Sequence, residues 1–571
     1  NTDQLSIEGN LFTTGGTSQI ASKNVTYDTH LNVHGSTITA NTSELNHLNK
    51  FLNKNNYLSE ELLYVTSSSS NEIRSTLPFG LSHDGNIMAV AFNSNPTIVV
   101  YQYMTLTQDE WDARTKTTTI AHATPVSNTI LTSDSSLDTT KKYWTQLGAN
   151  INEDSIYLGN RGIALSGNGQ RLVTDSGNYA ENEQFQVFNY TTPGLLGGTW
   201  EKISSTFPNY SGYNSTGNIV TNYSGNRFAF CIIGHDEAGY TNSNTGKVYI
   251  YEYSGSGTTW NSIGTILGTD QNWSSNFAEK LAMNRSTDPN IDGTVLCLNH
   301  HSNPVDGKIG DNWAQVYDYS DGNWVARPNI YGWIPQVFAW STTTAEQTNY
   351  YQQIDVTNDG NYIILSSIYS LPNRPAALSE TTTNAFGNCI VFEYRLITQT
   401  EWDNGNTSTD YTPAEGVPVI MADGDTSLDT NKKYWIQKGD CIVPPFNLTY
   451  APYLKYGKIR SHADGTLFVT LTMLDLHTDT LSDCGAVLVY AFENTNWSFK
   501  QIYYGTNSNQ ELGEYDLAVS GDGTRFLTGS FNSPYVVLIQ DIGYTPEIQY
   551  KYQIHNDVSM VNAAESFGED V

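Results

Sequence analysis

One short pattern recurs seven times along the 571-residue chain, and it limits the fold more than any other feature. An alternating apolar strand runs into a two-residue turn containing Gly, and a second apolar strand follows. The copies read LSHDGNIMAVAF (81–92), LSGNGQRLVTDS (165–176), VTNYSGNRFAFCII (220–233), LAMNRSTDPNIDGTVLCL (281–298), VTNDGNYIILSS (356–367), RSHADGTLFVTLT (460–472) and VSGDGTRFLTGS (519–530). The turns are Asp84-Gly85, Asn168-Gly169, Gly225-Asn226, Asp292-Gly293, Asp359-Gly360, Asp464-Gly465 and Asp522-Gly523. These dipeptides favour the positive φ that tight hairpin turns between twisted strands require.

A third strand with alternating aromatics follows most hairpins: IVVYQY (98–103), FQVFNY (185–190), KVYIYEY (247–253), AQVYDY (314–319), CIVFEY (389–394), AVLVYAF (486–492) and YVVLIQ (535–540). Trp144, Trp200, Trp260, Trp324, Trp435 and Trp497 then open a polar fourth strand in six of the seven units. A lone four-stranded sheet cannot cover both its faces. Radial packing lets each cover its neighbours and leaves only short edges. The turns recur on average every 73 residues between Asp84 and Asp522, too few for independent sandwich domains. The expected fold is therefore all-β, a seven-bladed β-propeller of four-stranded blades with a small N-terminal arm or stalk. Two segments compete to complete the seventh blade and tie the ends together: IQYKYQI (548–554) and ELLYV (61–65).

The expected division is an N-terminal arm or fibre-like tether at 1–55, a propeller at 56–555 and a C-terminal tail at 556–571. Residues 1–55 carry no blade pattern and are too few for a core of their own, so they pack on the propeller or on copies of themselves, a route to oligomers. The chain's one clear helical spacing is Leu45, Leu48 and Leu52, within 42–53. Two long insertions, 104–143 and 395–434, interrupt the units between third and fourth strands and resemble each other. LTQDEWDARTKTTT…TSDSSLDTTKKYWTQLG (106–148) matches ITQTEWDNGNTSTD…ADGDTSLDTNKKYWIQKG (397–439), with Trp111 against Trp402 and Trp144 against Trp435. These insertions should leave one face of the ring, from blades one and five. As loops held by a rigid scaffold they are candidate recognition sites, with Trp111, Asp112, Trp402 and Asp403 as candidate contacts. The competing reading is that the two Trp residues only anchor long hairpins.

Composition narrows the partners. Lys and Arg number 28 against 58 Asp and Glu, a formal charge of −30 that repels nucleic-acid phosphates and anionic lipid. No apolar run is long enough to cross a bilayer, so no membrane insertion is expected. The chain begins at Asn1, which fits a processed or trimmed start. Five cysteines, Cys231, Cys297, Cys389, Cys441 and Cys484, form no C-x-x-C pair, which argues against zinc. Cys231 and Cys297 read as core residues, while a Cys441–Cys484 disulfide stays open. Eleven N-x-S/T sequons matter only on a secretory route.

The Leu-Ser-x-Asp-Gly hairpin, the Val-Tyr-x-Tyr strand and Trp144-Thr145-Gln146-Leu147-Gly148 resemble the FG-GAP-type propeller repeats of virion-associated and surface proteins of algal giant viruses. The Thr-Gln-x-Glu-Trp-Asp segments at Trp111 and Trp402 share that resemblance. Thr42-Ser43-Glu44-Leu45-Asn46-His47-Leu48 is similar to a segment common in phage and giant-virus fibre proteins. The resemblance covers most of the chain. It implies a capsid-decorating, fibre or host-attachment role outside the cell, with other virion or cell-surface proteins and glycans as partners. Integrin-like relatives hold calcium in blade loops. Here only Asp288, Asn290 and Asp292 have D-x-N-x-D-G spacing, and Asn299 replaces the bidentate Glu at the twelfth position. These three are the candidate metal ligands, with calcium the only cofactor in view.

Catalytic patterns are missing. G-x-S-x-G, Gly-rich phosphate cradles and H-E-x-x-H do not occur. His300 and His301 are adjacent on a strand and point to opposite faces. His83 and His462 read as solvated turn residues. The expectation is a non-enzymatic virion-surface or extracellular protein whose loops bind a glycan, a receptor or a neighbouring capsid protein. The alternatives are a glycosidase or lyase using two carboxylates across a cleft, and a pure capsid cement protein.

Overall fold

A computed structural model describes residues 29–33, 36–40, 62–66, 79–92, 97–118, 128–152, 158, 162–175, 185–192, 197–204, 207, 216–232, 246–268, 278, 280–300, 313–331, 353–367, 388–408, 417–442, 454–462, 465–473, 482–505, 508–509, 511–530 and 535–539. The helical spacing at 42–53, the segment 548–554, the tail 556–571 and His301 lie outside them. The chain divides into two compact units. The smaller comprises Asn1–Leu62, Phe499–Gln501 and Ile542–Val571, and its described part includes an antiparallel hairpin of Thr29–Val33 and Ser36–Ala40.

Among its described residues the larger unit is all-β apart from two helices of five and six residues. Among the described residues it holds seven sheets of four or more strands, numbered here in chain order. Sheets two, three and six are simple four-stranded meanders. Their first strands are Ile163–Leu165, Thr216–Thr221 and Leu454–Ser461. Sheet four begins at Leu281–Met283 and adds the short strand Ile330–Tyr331 beside its third. Sheets one and five begin at Phe79–Leu81 and Gln353–Val356 and continue past the fourth strand into two more. Sheet seven begins at Leu512–Val519, and its fourth strand is Leu62–Thr66, paired with Tyr535–Ile539. The N-terminal segment thus supplies that strand.

The Ser/Thr-x-Asp/Asn-Gly signature explains its own turn. Ser82 Oγ donates to Asp84 Oδ1 at 2.6 Å, Asp84 Oδ1 accepts the Asn86 N–H, and Ser82 Oγ accepts the Ile87 N–H. The same three bonds recur at Ser166/Asn168, Thr357/Asp359 and Ser520/Asp522. A short side chain therefore satisfies the turn amides that the strands cannot. The seven turn glycines all have φ between 66° and 86°. Most also abut the preceding sheet: a Cβ on Gly169 would lie 2.4 Å from Ile87 Cδ1.

Strand alternation decides what touches what. Phe228, Phe230 and Ile232 pack with Val173, Phe185 and Val187 of sheet two, and Phe230 stacks on Phe185 at 3.8 Å. Ala229 and Cys231, on the other face, pack with Leu296 and Leu298 of sheet four. Three further core clusters likewise draw on consecutive sheets, one with two, four with five, and seven with one, while a fourth lies within sheet five and its insertion. First strands follow the same cycle from sheet one to sheet seven, and that of sheet seven returns to Phe79–Leu81. No helix among the described residues is long and apolar enough to cross a membrane.

Backbone geometry and contact at Gly169 give a direct expectation. Gly169→Ala adds both a left-handed-region penalty and a clash with Ile87, costing about 1–3 kcal/mol. Denaturant titration should show a lower midpoint than for Gly197→Ala, whose Cβ meets nothing within 4 Å.

Candidate functional site

The two insertions fold alike. After the third strand of sheet one, Thr107 caps helix α1 (Gln108–Asp112); after that of sheet five, Thr398 caps α2 (Gln399–Asn404). Both caps are reciprocal boxes, with Glu110 or Glu401 returning to the capping threonine's backbone N–H at 2.8 Å. The chain then makes two short parallel strands, Thr115–Thr117 with Thr129–Leu131 and Asn406–Ser408 with Val419–Met421. The second of each pair joins the fourth strand of its sheet, Tyr143–Gln146 or Tyr434–Gln437. The insertions therefore widen two sheets at their outer edges, where the repeat alone predicts projecting loops.

Trp111 and Trp402, read from the sequence either as recognition contacts or as anchors of long hairpins, are 3% and 8% exposed. Each indole meets a tyrosine edge-on, Tyr143 at 5.1 Å and Tyr434 at 5.3 Å. They anchor the modules within small apolar clusters, Trp111 with Leu106, Ile130 and Tyr143, and Trp402 with Ile397, Ile420 and Tyr434. Asp112 and Asp403 are exposed, each accepting from a glutamine one turn earlier at 2.9 Å. What the modules present to solvent is a polar rim. The Tyr143 hydroxyl accepts from the Asp138 N–H and donates to Asp134, which also binds Lys141 at 3.0 Å. The Tyr434 hydroxyl does the same between Asp429 and Asp425, and Lys432 bridges Asp425 at 2.8 Å and Asp423 at 3.1 Å. Lys142 and Lys433 are exposed and lie over Tyr103 and Tyr394. The modules differ where Arg395 grips Glu401 at 2.7 Å, since Met104 occupies that place in sheet one. Hydrogen bonds from Arg395 and from the Thr398 N–H hold the Glu401 carboxyl down at about 2.

The candidate calcium loop is a different object. Asp292 is buried and turned onto sheet three, where it accepts from Asn222 Nδ2, the Tyr223 and Ser224 N–H groups and Ser224 Oγ at 2.7–2.9 Å. Asp288 Oδ1 accepts the Asn290 N–H and Nδ2. Asp288, Asn290 and Asp292 thus serve a local turn and an inter-sheet joint. Among the described residues no group of three His, Cys, Asp or Glu side chains is placed to hold a metal ion. His83 also departs from the expectation of a solvated turn residue: its Nδ1 is enclosed without a hydrogen-bond partner, and burial lowers its pKa to about 4. His462 is half-buried against Phe468. Cys231 and Cys297 are core residues, and no disulfide joins any two of the five cysteines, Cys441 and Cys484 included.

Sequence reasoning missed how the sheets are joined. The last aromatic of the third strand pairs with the fourth-strand Trp in six sheets, from Tyr394–Trp435 at 4.8 Å to Phe492–Trp497 at 5.2 Å. Onto that aromatic the preceding sheet lays a cation. Arg171 covers Tyr253, Arg227 covers Tyr319, Arg327 covers Tyr394, Lys438 covers Phe492 and Arg525 covers Tyr103, at 4.4–5.2 Å. The four arginines also donate to the turn carbonyls of Gly225, Gly293, Gly360 and Gly85. In return Trp200, Trp260, Trp435 and Trp497 donate their indole N–H to carbonyls of Leu147, Ile203, Pro328 and Lys438. A signal was present: three of the four arginines stand two residues after a turn glycine, as Gly169-Gln170-Arg171, Gly225-Asn226-Arg227 and Gly523-Thr524-Arg525.

No family model matches the chain, and no curated protein matches it. Solved structures similar to it include Kuenenia stuttgartiensis hydrazine synthase, at 12% identity over 83% of this chain and 98% of that one, with a TM-score of 0.39. The β-propeller domain of Myceliophteria thermophila Cps50 (Swd1) is 9% identical over 82% and 99%, with a TM-score of 0.37. The C-terminal WD40 domain of Sif2 is 10% identical over 84% and 97%, with a TM-score of 0.39. The likeness extends to the fold alone.

Two outcomes follow from the module geometry. Trp402→Ala removes a buried indole and should cost the module about 3–5 kcal/mol. Limited proteolysis should then cut within 395–434 while the rest of the chain resists. The depressed Glu401 pKa means that its cap and ion pair contribute stability above about 4.5, lost as pH falls towards about 2. Glu401→Gln should therefore lower the melting temperature at pH 6 and leave it unchanged near pH 2, measured by calorimetry.

Proposed function

We propose that this chain is a seven-bladed β-propeller that acts without catalysis as a virion-surface or extracellular attachment protein. The twin modules on sheets one and five carry its binding surfaces. The observation behind this reading is their equivalence: two insertions 291 positions apart repeat the same cap, the same buried Trp–Tyr anchor and the same Asp–Tyr–Lys rim. Burying the anchors holds the rims rigid, which lowers the entropy lost on binding. The rims offer carboxylates, ammonium groups and hydroxyls, the complement of a hydroxyl-rich glycan or a polar protein surface. Two such sites on one scaffold make binding to a repetitive surface bivalent.

The cyclic order of first strands supports the ring, and the N-terminal strand in sheet seven supports its closure. The resemblance to virion-associated repeat proteins supports the location. The formal charge of −30 suits a polysaccharide or protein partner better than a nucleic acid or an anionic membrane.

The test replaces exposed rim residues and leaves the anchors intact: Asp112→Ala with Lys142→Ala in one module, Asp403→Ala with Lys433→Ala in the other. Binding to immobilised algal surface polysaccharide and to stripped virus particles is measured by biolayer interferometry. The expected result is a modest loss for either pair and at least a tenfold loss for both together. Unchanged binding by the fourfold variant, or release of new sugar ends from the polysaccharide, would overturn the reading.

A further inference from the structure

The turns between first and second strands meet at one end of the sheet cycle, and side chains cross its middle there. Arg285 belongs to the turn of sheet four. Its guanidinium skips sheet three and reaches the carbonyls of Leu81 in sheet one, at 3.3 Å, and Leu165 in sheet two, at 2.6 Å. Asn358 of sheet five skips sheet six and donates to the Gly521 carbonyl of sheet seven at 2.9 Å. His83 of sheet one is tied to both sides, donating its N–H to Gly167 and accepting from the Gly521 N–H. These bonds place Arg285, His83 and Asn358 on the axis of the cycle.

The cations at this place are not equally paired, although Asp355 and Asp292 both act on Arg285. Arg460 is buried and bound to Asp355, and its remaining donors reach the carbonyls of Ile459, Val519 and Ser520. Lys458 lies 4.0 Å from the same carboxylate. Asp292 is taken up by four donors of sheet three. Among the described residues Arg285 has no carboxylate within ion-pair distance. It binds neutral carbonyls only, and its Nε–H is enclosed with no acceptor. His83 Nδ1 beside it is likewise enclosed and unsatisfied. An unpaired buried cation costs several kcal/mol unless a counter-charge arrives. The guanidinium fork matches two oxygens of one oxyanion.

We infer that the turn end of the sheet cycle, at Arg285, binds a single oxyanionic group, a sulfate, phosphate or carboxylate, with Arg285 as its principal ligand. The local field agrees. Burial and the neighbouring Arg460 bring the Arg285 pKa down to about 10 against the opposing pull of Asp355 and Asp292, and His83 is lowered to about 4 by burial, Arg285 and Arg460, against Asp522 and Asp84. Burial is the larger cause at both groups, and the neighbouring cations add repulsion to it. An anion would relieve that repulsion and complete the Arg285 hydrogen bonds. The rest of the surface, carrying most of the formal −30, disfavours adventitious anions. This site is separate from the twin modules, so the fourfold rim variant should bind the anion unchanged.

Equilibrium dialysis of the full chain with radiolabelled sulfate, in chloride buffer of fixed ionic strength, tests the inference. One saturable equivalent is expected, displaced by phosphate and by acetate, and weakened at least tenfold in Arg285→Gln. Because that variant removes three bonds across the axis, a second measurement uses the unaltered protein. Sulfate should slow phenylglyoxal modification of Arg285, read by peptide mass spectrometry, at least fivefold relative to chloride. A parallel arm with a monosaccharide sulfate ester separates the sources. Tighter binding of the ester than of free sulfate supports a glycan substituent as the ligand, and equal or weaker binding supports the free ion. Absence of saturable sulfate binding, undiminished binding by a folded Arg285→Gln, or no protection of Arg285 would overturn the inference.

Discussion

The joint between one sheet and the next carries this structure. A four-stranded sheet buries neither face by itself, and five of the six core clusters described above are shared between consecutive sheets. Dispersion and burial drive that packing without choosing a register. The polar parts of the joint choose it. An arginine lies over the neighbour's tyrosine while donating to its turn glycine, and an indole N–H reaches back to a carbonyl of the sheet before. A cation over an aromatic ring contributes about 0.5–2 kcal/mol, and a partly buried hydrogen bond about 1. Neither is large, yet repetition around the cycle multiplies them, and slippage at one joint would strand donors at the next.

The joint between sheets seven and one keeps only part of this arrangement, as does that between sheets three and four, where the Trp324 indole N–H is also enclosed with no acceptor. Arg525 reaches Gly85 and Asn86 and covers Tyr103, so the cation half of the joint is kept. Trp144 is buried with no acceptor for its indole N–H. Sheet seven takes its fourth strand from Leu62–Thr66 instead of from a Trp-opened strand.

Much of this was legible in the residues. Ser82, Asp84 and Gly85 together specify a turn, because the hydroxyl and carboxylate satisfy amides that the glycine's φ presents. Strand alternation at Phe228–Ile232 was enough to separate two buried faces. The resemblance of the two insertions, read from Trp111 and Trp402, correctly paired two equivalent modules. Less was legible at the sites. An aromatic in a polar insertion suggests contact with a partner, but burial depends on whether an edge lies beneath it, and Tyr143 and Tyr434 provide that edge. Asp288, Asn290 and Asp292 have the spacing of cation ligands, yet spacing cannot reveal that sheet three offers Asp292 four donors.

Local chemistry alone therefore determined the hairpins, their number and the strand faces, because turn amides, φ and side-chain alternation are properties of residues close in sequence. Only the tertiary structure decided which N-terminal strand completes sheet seven, where the tryptophans lie and what Arg285 faces. Each of those outcomes rests on groups far apart in the chain. The Arg285 guanidinium meets a carbonyl 204 residues away, and no periodicity in the sequence encodes that meeting. It arises when the sheets close their cycle and bring the turns to a common centre, where burial turns an ordinary surface charge into one that requires a partner.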